Sequence, residues 1–233
     1  MADGQRRSPP GSRAGLDRND GGTMSVLKEI GESVLAYQPK TAEGLTHKAL
    51  DEGKSAGEIL NDGLIPAMDI VGKKYEEGEI YVPEMLMAAK SMKAALAILR
   101  PILAETGVES KGRVVIGTVE GDLHDIGQNL VSIMLEGAGY DVHNLGIDNT
   151  KEAFVEAIKE TQPHVLALSA LLTTTMVQMP EVIDALKGGG VRDRVKVIIG
   201  GAPVTQEYAD QIGADGYAKD AAAAVTLVRN LLK

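Results

Sequence analysis

Five short, largely apolar runs, each followed by a stretch of helical spacing, fill the second half of this 233-residue chain and constrain its fold most. The runs are 113–118, 141–145, 165–169, 195–199 and 216–218, and the helical stretches are 126–137, 151–160, 174–187, 206–212 and 221–232. Short apolar strands alternating with helices are read as parallel strands buried on both faces. The pattern predicts an α/β domain with a doubly wound, five-stranded parallel sheet. Such sheets bind ligands beyond the carboxyl ends of their strands, near the point where strand order reverses. The links leaving those ends are 121–127, 146–149, 170–175, 200–205 and 218–220, several of them small or hydroxylated.

The first link carries the clearest chemistry. It reads Gly121-Asp122-Leu123-His124-Asp125-Ile126-Gly127, between a strand and a helix. It presents a histidine on a loop, with an acid two residues before it. Imidazole is a good ligand for a borderline or soft transition metal. A nearby carboxylate takes the proton of the second ring nitrogen and fixes which nitrogen faces the metal. One histidine cannot hold a bare ion, so the metal is expected inside a cofactor that supplies its other ligands. The competing reading is an ordinary surface loop in which Gly127 only eases helix–strand packing.

Residues 24–108 read as helices. In 83–105 the apolar positions Met85, Ala89, Met92, Leu96, Leu99 and Leu103 alternate by four and three, which makes one helical face. Pro83 suits the first turn, and Pro101 is expected to kink the last ones. Three earlier stretches, 26–37, 42–52 and 55–75, are similar, with Pro66 interrupting the third. Four helices with short links predict a small bundle. The loop 75–83 carries Tyr75, Tyr81 and Val82, which either fill the bundle end or form an apolar lid over a flat ligand. Residues 1–23, rich in Gly, Arg, Asp and Pro, read as a disordered leader ahead of a natural start at Met24.

Composition excludes several classes. A net charge of -9, no Trp and a single Phe, Phe154, argue against a nucleic-acid partner, which wants cations and stacking platforms. The absence of Cys removes disulfides, thiolate zinc sites and thiol nucleophiles, and fits a cytoplasmic protein. No apolar run is long enough for a bilayer. No glycine fingerprint follows the first strand and no Walker lysine is present, so nucleotide binding is not indicated. His47, His143 and His164 have no partner pattern.

Asp122-x-His124-x-x-Gly127, Ser169-x-Leu171 and Gly200-Gly201, in that order on this fold, resemble the cobalamin-binding domain. The preceding helices are similar to the cap of methyl-transferring members. Together they resemble the corrinoid proteins of methyltransferase systems and the matching part of cobalamin-dependent methionine synthase. The resemblance covers everything after the leader. It implies a four-helix-bundle cap over 24–108 and a Rossmann-like, flavodoxin-like domain over 109–233.

It also implies roles. His124 resembles the lower axial ligand of cobalt, and Asp122 the hydrogen-bond partner of that histidine. Thr175 stands where methionine synthase has the serine that completes the relay to solvent. Gly121, Leu123, Asp125, Ile126 and Gly127 complete the loop beneath the corrin. Ser169, Leu171 and Thr173 are expected to line the slot for the displaced nucleotide tail, and Gly200 and Gly201 to let the tail pass close to backbone. The stretch 217–221, ending in Ala221, is expected to close the far end. Tyr75 and Val82 fall where the cap shields the upper face, and Asn61 falls where methionine synthase carries a cap glutamate. From the residues alone, Ser169 and Thr173–Thr175 also read as a strand end and helix cap, and Gly200-Gly201 as a tight turn.

The implied cofactor is cobalamin, cycling between methylcob(III)alamin and cob(I)alamin, with cobalt as the metal. The implied function is a non-catalytic methyl carrier. Its partners would be a substrate:corrinoid methyltransferase, a corrinoid:acceptor methyltransferase using tetrahydrofolate or a thiol, and a reductive activase. Methanol, methylamines, betaine and methoxylated aromatics are the implied donors. A link around 105–111 is expected to act as the cap hinge. Three other readings stay open: a cobalamin-dependent sensor, an adenosylcobalamin mutase subunit and an α/β fold without a cofactor.

Overall fold

The computed structural model describes residues 25–106 and 110–233. The expected leader, the Met24 start and the 107–109 part of the expected hinge lie outside the described residues. The helical half begins with α1 (Val26–Leu35), capped by the Ser25 hydroxyl, and α2 (Pro39–Asp51). Next comes α3 (Ala56–Glu58), opened by a capping box in which Ser55 and Glu58 satisfy each other's backbone N–H groups. It passes through a π-helical turn, Ile59–Leu64, into α4 (Ile65–Glu76). The half ends with α5 (Val82–Thr106).

The expected break at Pro66 is instead a change of winding. The N–H of Ile65 reaches back to the carbonyl of Leu60, and the wider turn gives the proline ring room in the next one. Pro101 lies inside α5. The expected face of α5 is buried from Met85 through Leu99. It packs with Ile30, Val34, Ile59 and Leu64 into the bundle core.

The α/β half follows the predicted alternation. Its first part is β1 (Arg113–Thr118), α6 (Ile126–Gly137), β2 (Asp141–Asn144), α7 (Lys151–Thr161), β3 (Val165–Ser169), α8 (Thr173–Met176) and α9 (Gln178–Gly188). It closes with β4 (Lys196–Gly200), α10 (Gln206–Ile212), β5 (Gly216–Ala218) and α11 (Ala221–Leu231). All pairings are parallel, and the strand order is β2-β1-β3-β4-β5. This is the flavodoxin-like order, with its switch point between β1 and β3. Alternate strand residues feed two cores. Val115, Leu166 and Val197 meet Phe154, Met179 and Ile183, while Val114, Ala167 and Ile198 join a cluster continuous with the helical half.

That continuity comes from close approach. A Cβ on Gly137 would sit 2.9 Å from Met68 Cε, and one on Gly72 would sit 3.1 Å from Met134 Cε. Two sets of ion pairs flank the contact. Asp69 meets Arg229 at 2.6 Å, and Glu136 meets Lys93 at 2.9 Å and Arg100 at 3.7 Å. The cations of these pairs and Asp69 are substantially exposed, while Glu136 is mostly covered. Among the described residues no helix is long and apolar enough to cross a membrane.

Candidate functional site

The parallel register puts Thr118, Ser169, Gly200 and Ala218 level at the carboxyl ends of β1, β3, β4 and β5. A cavity of about 680 Å³ opens above this row. It is lined by Leu123 to Gly127, by Ser169 and Leu171, by Gly200 and Gly201, and by Ala221 at the start of α11. Tyr75, at the end of α4, lines it from the helical half. The structure thus brings eleven of the expected site residues to one cavity, while Gly121, Thr173, Val82 and Asn61 are not among its lining residues. Asp122 and Thr175 are buried beneath the histidine.

The histidine loop is held from both sides. Gly121 adopts a left-handed conformation, φ +78°, and donates its N–H to Asp148 Oδ1 at 2.7 Å. Asp148 is itself left-handed, φ +56°, a state that aspartate tolerates better than most residues. Its N–H approaches the Asp122 carbonyl and the Thr118 hydroxyl, each at 3.1 Å. The Thr118 hydroxyl donates to that same carbonyl at 2.9 Å. The β2–α7 link therefore clamps the loop that carries His124.

Asp122 is 0% exposed and collects four donors. Its Oδ1 accepts from the His124 N–H at 3.0 Å and pairs with His124 Nδ1 at 2.8 Å. Its Oδ2 accepts from the Leu171 N–H and the Thr175 hydroxyl, both at 2.7 Å. Burial pushes this carboxyl upward, but the bonds from Thr175, Leu171 and His124 outweigh it and bring its pKa down to about 2. The group is ionised at neutral pH and can only accept. The proton of the neutral ring must therefore sit on Nδ1, which leaves Nε2 with a free lone pair. The His124 side chain is 47% exposed and faces the cavity.

A depressed carboxylate pKa contributes stability above the unfolded value and loses it as pH falls through the folded value. From 3.8 to about 2, the contribution of Asp122 is of order 2 kcal/mol. The difference in unfolding free energy between wild type and Asp122→Asn, measured in urea, should shrink between pH 4 and pH 2. A constant difference across that window would show that the carboxylate is not held in its ionised form.

The site fits a flat, largely apolar group carrying its own metal. Leu123 is 65% exposed and Ile126 is 72% exposed at the cavity, so apolar surface is waiting to be covered. A Cβ on Gly127 would meet nothing within 4 Å, so its bare backbone opens onto free space. Among the described residues no group of three or more His, Cys, Asp or Glu could hold a bare ion. A single imidazole nitrogen could hold a metal here only if the metal's remaining ligands arrive with it.

Gly200, the last residue of β4, and Gly201, just after it, answer a steric demand within the protein itself. A Cβ on Gly201, φ +128°, would lie 1.8 Å from the Ala170 carbonyl oxygen, and one on Gly200 would lie 2.9 Å from the Ala218 carbonyl. The neighbouring links already press against them. Two residues escaped the sequence reading, Asp148 and Gln128. Gln128 lines the cavity and is buried on the same stripe of α6 as Ser132 and Leu135, a polar residue on an apolar face. That misplacement was its only signal.

Residues 112–226 match the B12 binding domain family, and residues 26–100 match a second family of the same description. Corrinoid protein DSY3155 of Desulfitobacterium hafniense (strain Y51) is 42% identical over 212 residues, spanning 90% of this chain and 98% of that protein. The dimethylamine corrinoid protein of Methanosarcina barkeri is 42% identical over 208 residues, spanning 89% and 97%. The methanol:cobalamin methyltransferase complex MtaBC from Methanosarcina barkeri contains a chain that superposes with a TM-score of 0.80 at 29% identity, over 92% of this chain and 81% of that one. A cobalamin-binding protein from Desulfitobacterium hafniense DCB-2 superposes with a TM-score of 0.72 at 31% identity, over 88% and 98%. A helical B12 binding domain followed by an α/β one, with a fixed imidazole facing the cavity, places this chain in the family of corrinoid proteins of methyltransferase systems, with cobalamin as its cofactor.

Proposed function

We propose that this protein is a methyl carrier that holds cobalamin with its own base displaced and His124 in that base's place. The observation that carries the reading is the His124–Asp122 pair, because it fixes the tautomer that leaves Nε2 free at the cavity. The bound corrin supplies the cobalt centre that accepts and releases the methyl group. The chain's own residues bind, orient and shield. Asp122 holds the Nδ1 proton, while Thr175 and the Leu171 N–H hold Asp122. Leu123, Ile126 and Leu171 offer apolar contact, and Tyr75 covers from the helical side.

On this reading 24–108 is the cap and 109–233 the cobalamin-binding domain. Ser169, Gly200, Gly201 and Ala221 form the slot for the nucleotide arm, with Thr173 and Gly121 at its margins. Val82 joins Tyr75 as a cap residue toward the upper face, and Asn61 takes the place of a cap glutamate reaching toward the cofactor. The partners are a donor-specific methyltransferase, an acceptor methyltransferase using tetrahydrofolate or a thiol, and a reductive activase, all in the cytoplasm. Relatives named for dimethylamine and trimethylamine favour a methylamine as the donor over methanol, betaine or a methoxylated aromatic.

The test is transfer itself. The cobalamin-loaded, reduced protein is mixed with isotopically labelled methylamines and a methylamine-system methyltransferase. Label should accumulate on the corrinoid only when that enzyme is present, and should leave when an acceptor methyltransferase is added. A loaded protein that never acquires label from any of the donor classes would refute the carrier role.

A further inference from the structure

Asp148, on the β2–α7 link, holds φ +56°, a left-handed backbone that glycine takes without steric cost and that L side chains rarely adopt. A side chain kept at such a position points to something that the side chain does. Its Oδ1 accepts the Gly121 N–H at 2.7 Å, 27 residues back and immediately before Asp122. The link that carries Asp148 is a firm support. The next residue, Asn149, donates its backbone N–H at 3.1 Å and its Nδ2 at 3.0 Å to the Thr118 carbonyl at the end of β1. Asn149 Nδ2 also reaches the Gly146 carbonyl at 2.9 Å. The histidine loop is therefore held in two different ways. From the β3 side, the Leu171 N–H and the Thr175 hydroxyl hold the Asp122 carboxylate, and with it the way the imidazole is turned. From the β2 side, Asp148 holds the backbone at 121–122, and with it the place where the loop stands above the strand ends.

We propose that Asp148 is a positioning residue for the axial bond: by fixing the Gly121 N–H, its carboxylate sets the height at which His124 Nε2 is presented in the cavity. The inference rests on the carrier reading, since it takes His124 as the ligand of cobalt. A ligating group has to be held within about 0.5 Å of its productive position. The His124 ring is half exposed, so packing alone does not hold it there, and the backbone of its loop has to. Glycine at 148 would relieve the backbone but leave the Gly121 N–H without its acceptor.

The experiment is a double-mutant cycle on the full chain, read by equilibrium dialysis against methylcobalamin. Asp148→Gly suits the left-handed backbone and keeps the residue-148 N–H bonds to the Asp122 carbonyl and the Thr118 hydroxyl, so it removes the carboxylate alone. It should bind methylcobalamin about 5-fold weaker than the unaltered protein, a modest loss because Asp148 faces solvent. Added to His124→Ala it should weaken binding no further, because the bond it supports is already gone. Asp148→Asn keeps an acceptor oxygen and tolerates this backbone, and should bind like the unaltered protein. If Asp148→Gly binds like the unaltered protein, if it weakens both backgrounds alike, or if Asp148→Asn is as weak as Asp148→Gly, the positioning role is refuted while the carrier reading stands. If His124→Ala binds as tightly as the unaltered protein, the histidine is not the ligand and the carrier reading's coordination falls instead.

Discussion

His124→Ala protein loaded with methylcobalamin should lose the absorption spectrum of a histidine-ligated, base-off corrinoid. Among the described residues only one atom in the cavity is set up to reach the metal, so removing it leaves no substitute. Outer partners of metal ligands typically cost 10- to 100-fold in affinity when removed, and loss of the ligand itself should cost about 100-fold or more. The apoprotein should fold unchanged. The imidazole is half exposed, and Asp122 keeps its bonds from Thr175, Leu171 and the residue-124 backbone N–H. Unfolding of the apoprotein and the spectrum of the loaded protein together separate the two effects. An alanine variant that retains the wild-type spectrum would place the lower ligand elsewhere.

Gly201→Ala is the opposite case, a fold defect at a site residue. The position holds φ +128°, a region almost closed to L side chains, and the new Cβ would fall 1.8 Å from the Ala170 carbonyl oxygen. Strain and overlap together should cost about 3–5 kcal/mol, or roughly 10 °C in melting temperature for a chain this long. The methyl group would wedge apart the β3 and β4 links, which are joined where the Ala170 N–H reaches the Gly200 carbonyl at 3.2 Å. Gly127→Ala is the control. Its Cβ meets no protein atom, so melting should hold while cobalamin affinity drops. A Gly201→Ala protein that melts like wild type would mean that the loops can part without penalty.

Local periodicity located every strand to within a residue, because a buried strand advertises itself by its own apolar run. It failed where a distant group intervened. The expected helix 174–187 is split at Val177 into α8 and α9, and the carbonyl of Met176 just before the split is taken by the Tyr208 hydroxyl, 2.9 Å away. The Thr175 hydroxyl is likewise turned to Asp122, 53 residues earlier. Asp148 and Gln128 act through partners 27 and 16 positions off, and no spacing rule reaches them. The cavity-facing histidine was legible because its acid lies on the same short loop. Val82 and Asn61, inferred by resemblance alone, are not among the cavity's lining residues, and their position depends on how the helical half packs.

The interlocked glycines and methionines between α4 and α6 bear on how the two halves depend on each other. Met68 seated over Gly137 and Met134 seated over Gly72 bring the two helices into direct contact. Cut away from its neighbour, the sheet half would bare an oily strip running along α6 and α11, and would tend to clump rather than survive alone. Heat should therefore dissolve both halves in one cooperative step, and, on the carrier reading, an excursion that uncovers a bound methyl group would have to keep that strip sheltered, by sliding along it or by handing it to a visiting enzyme.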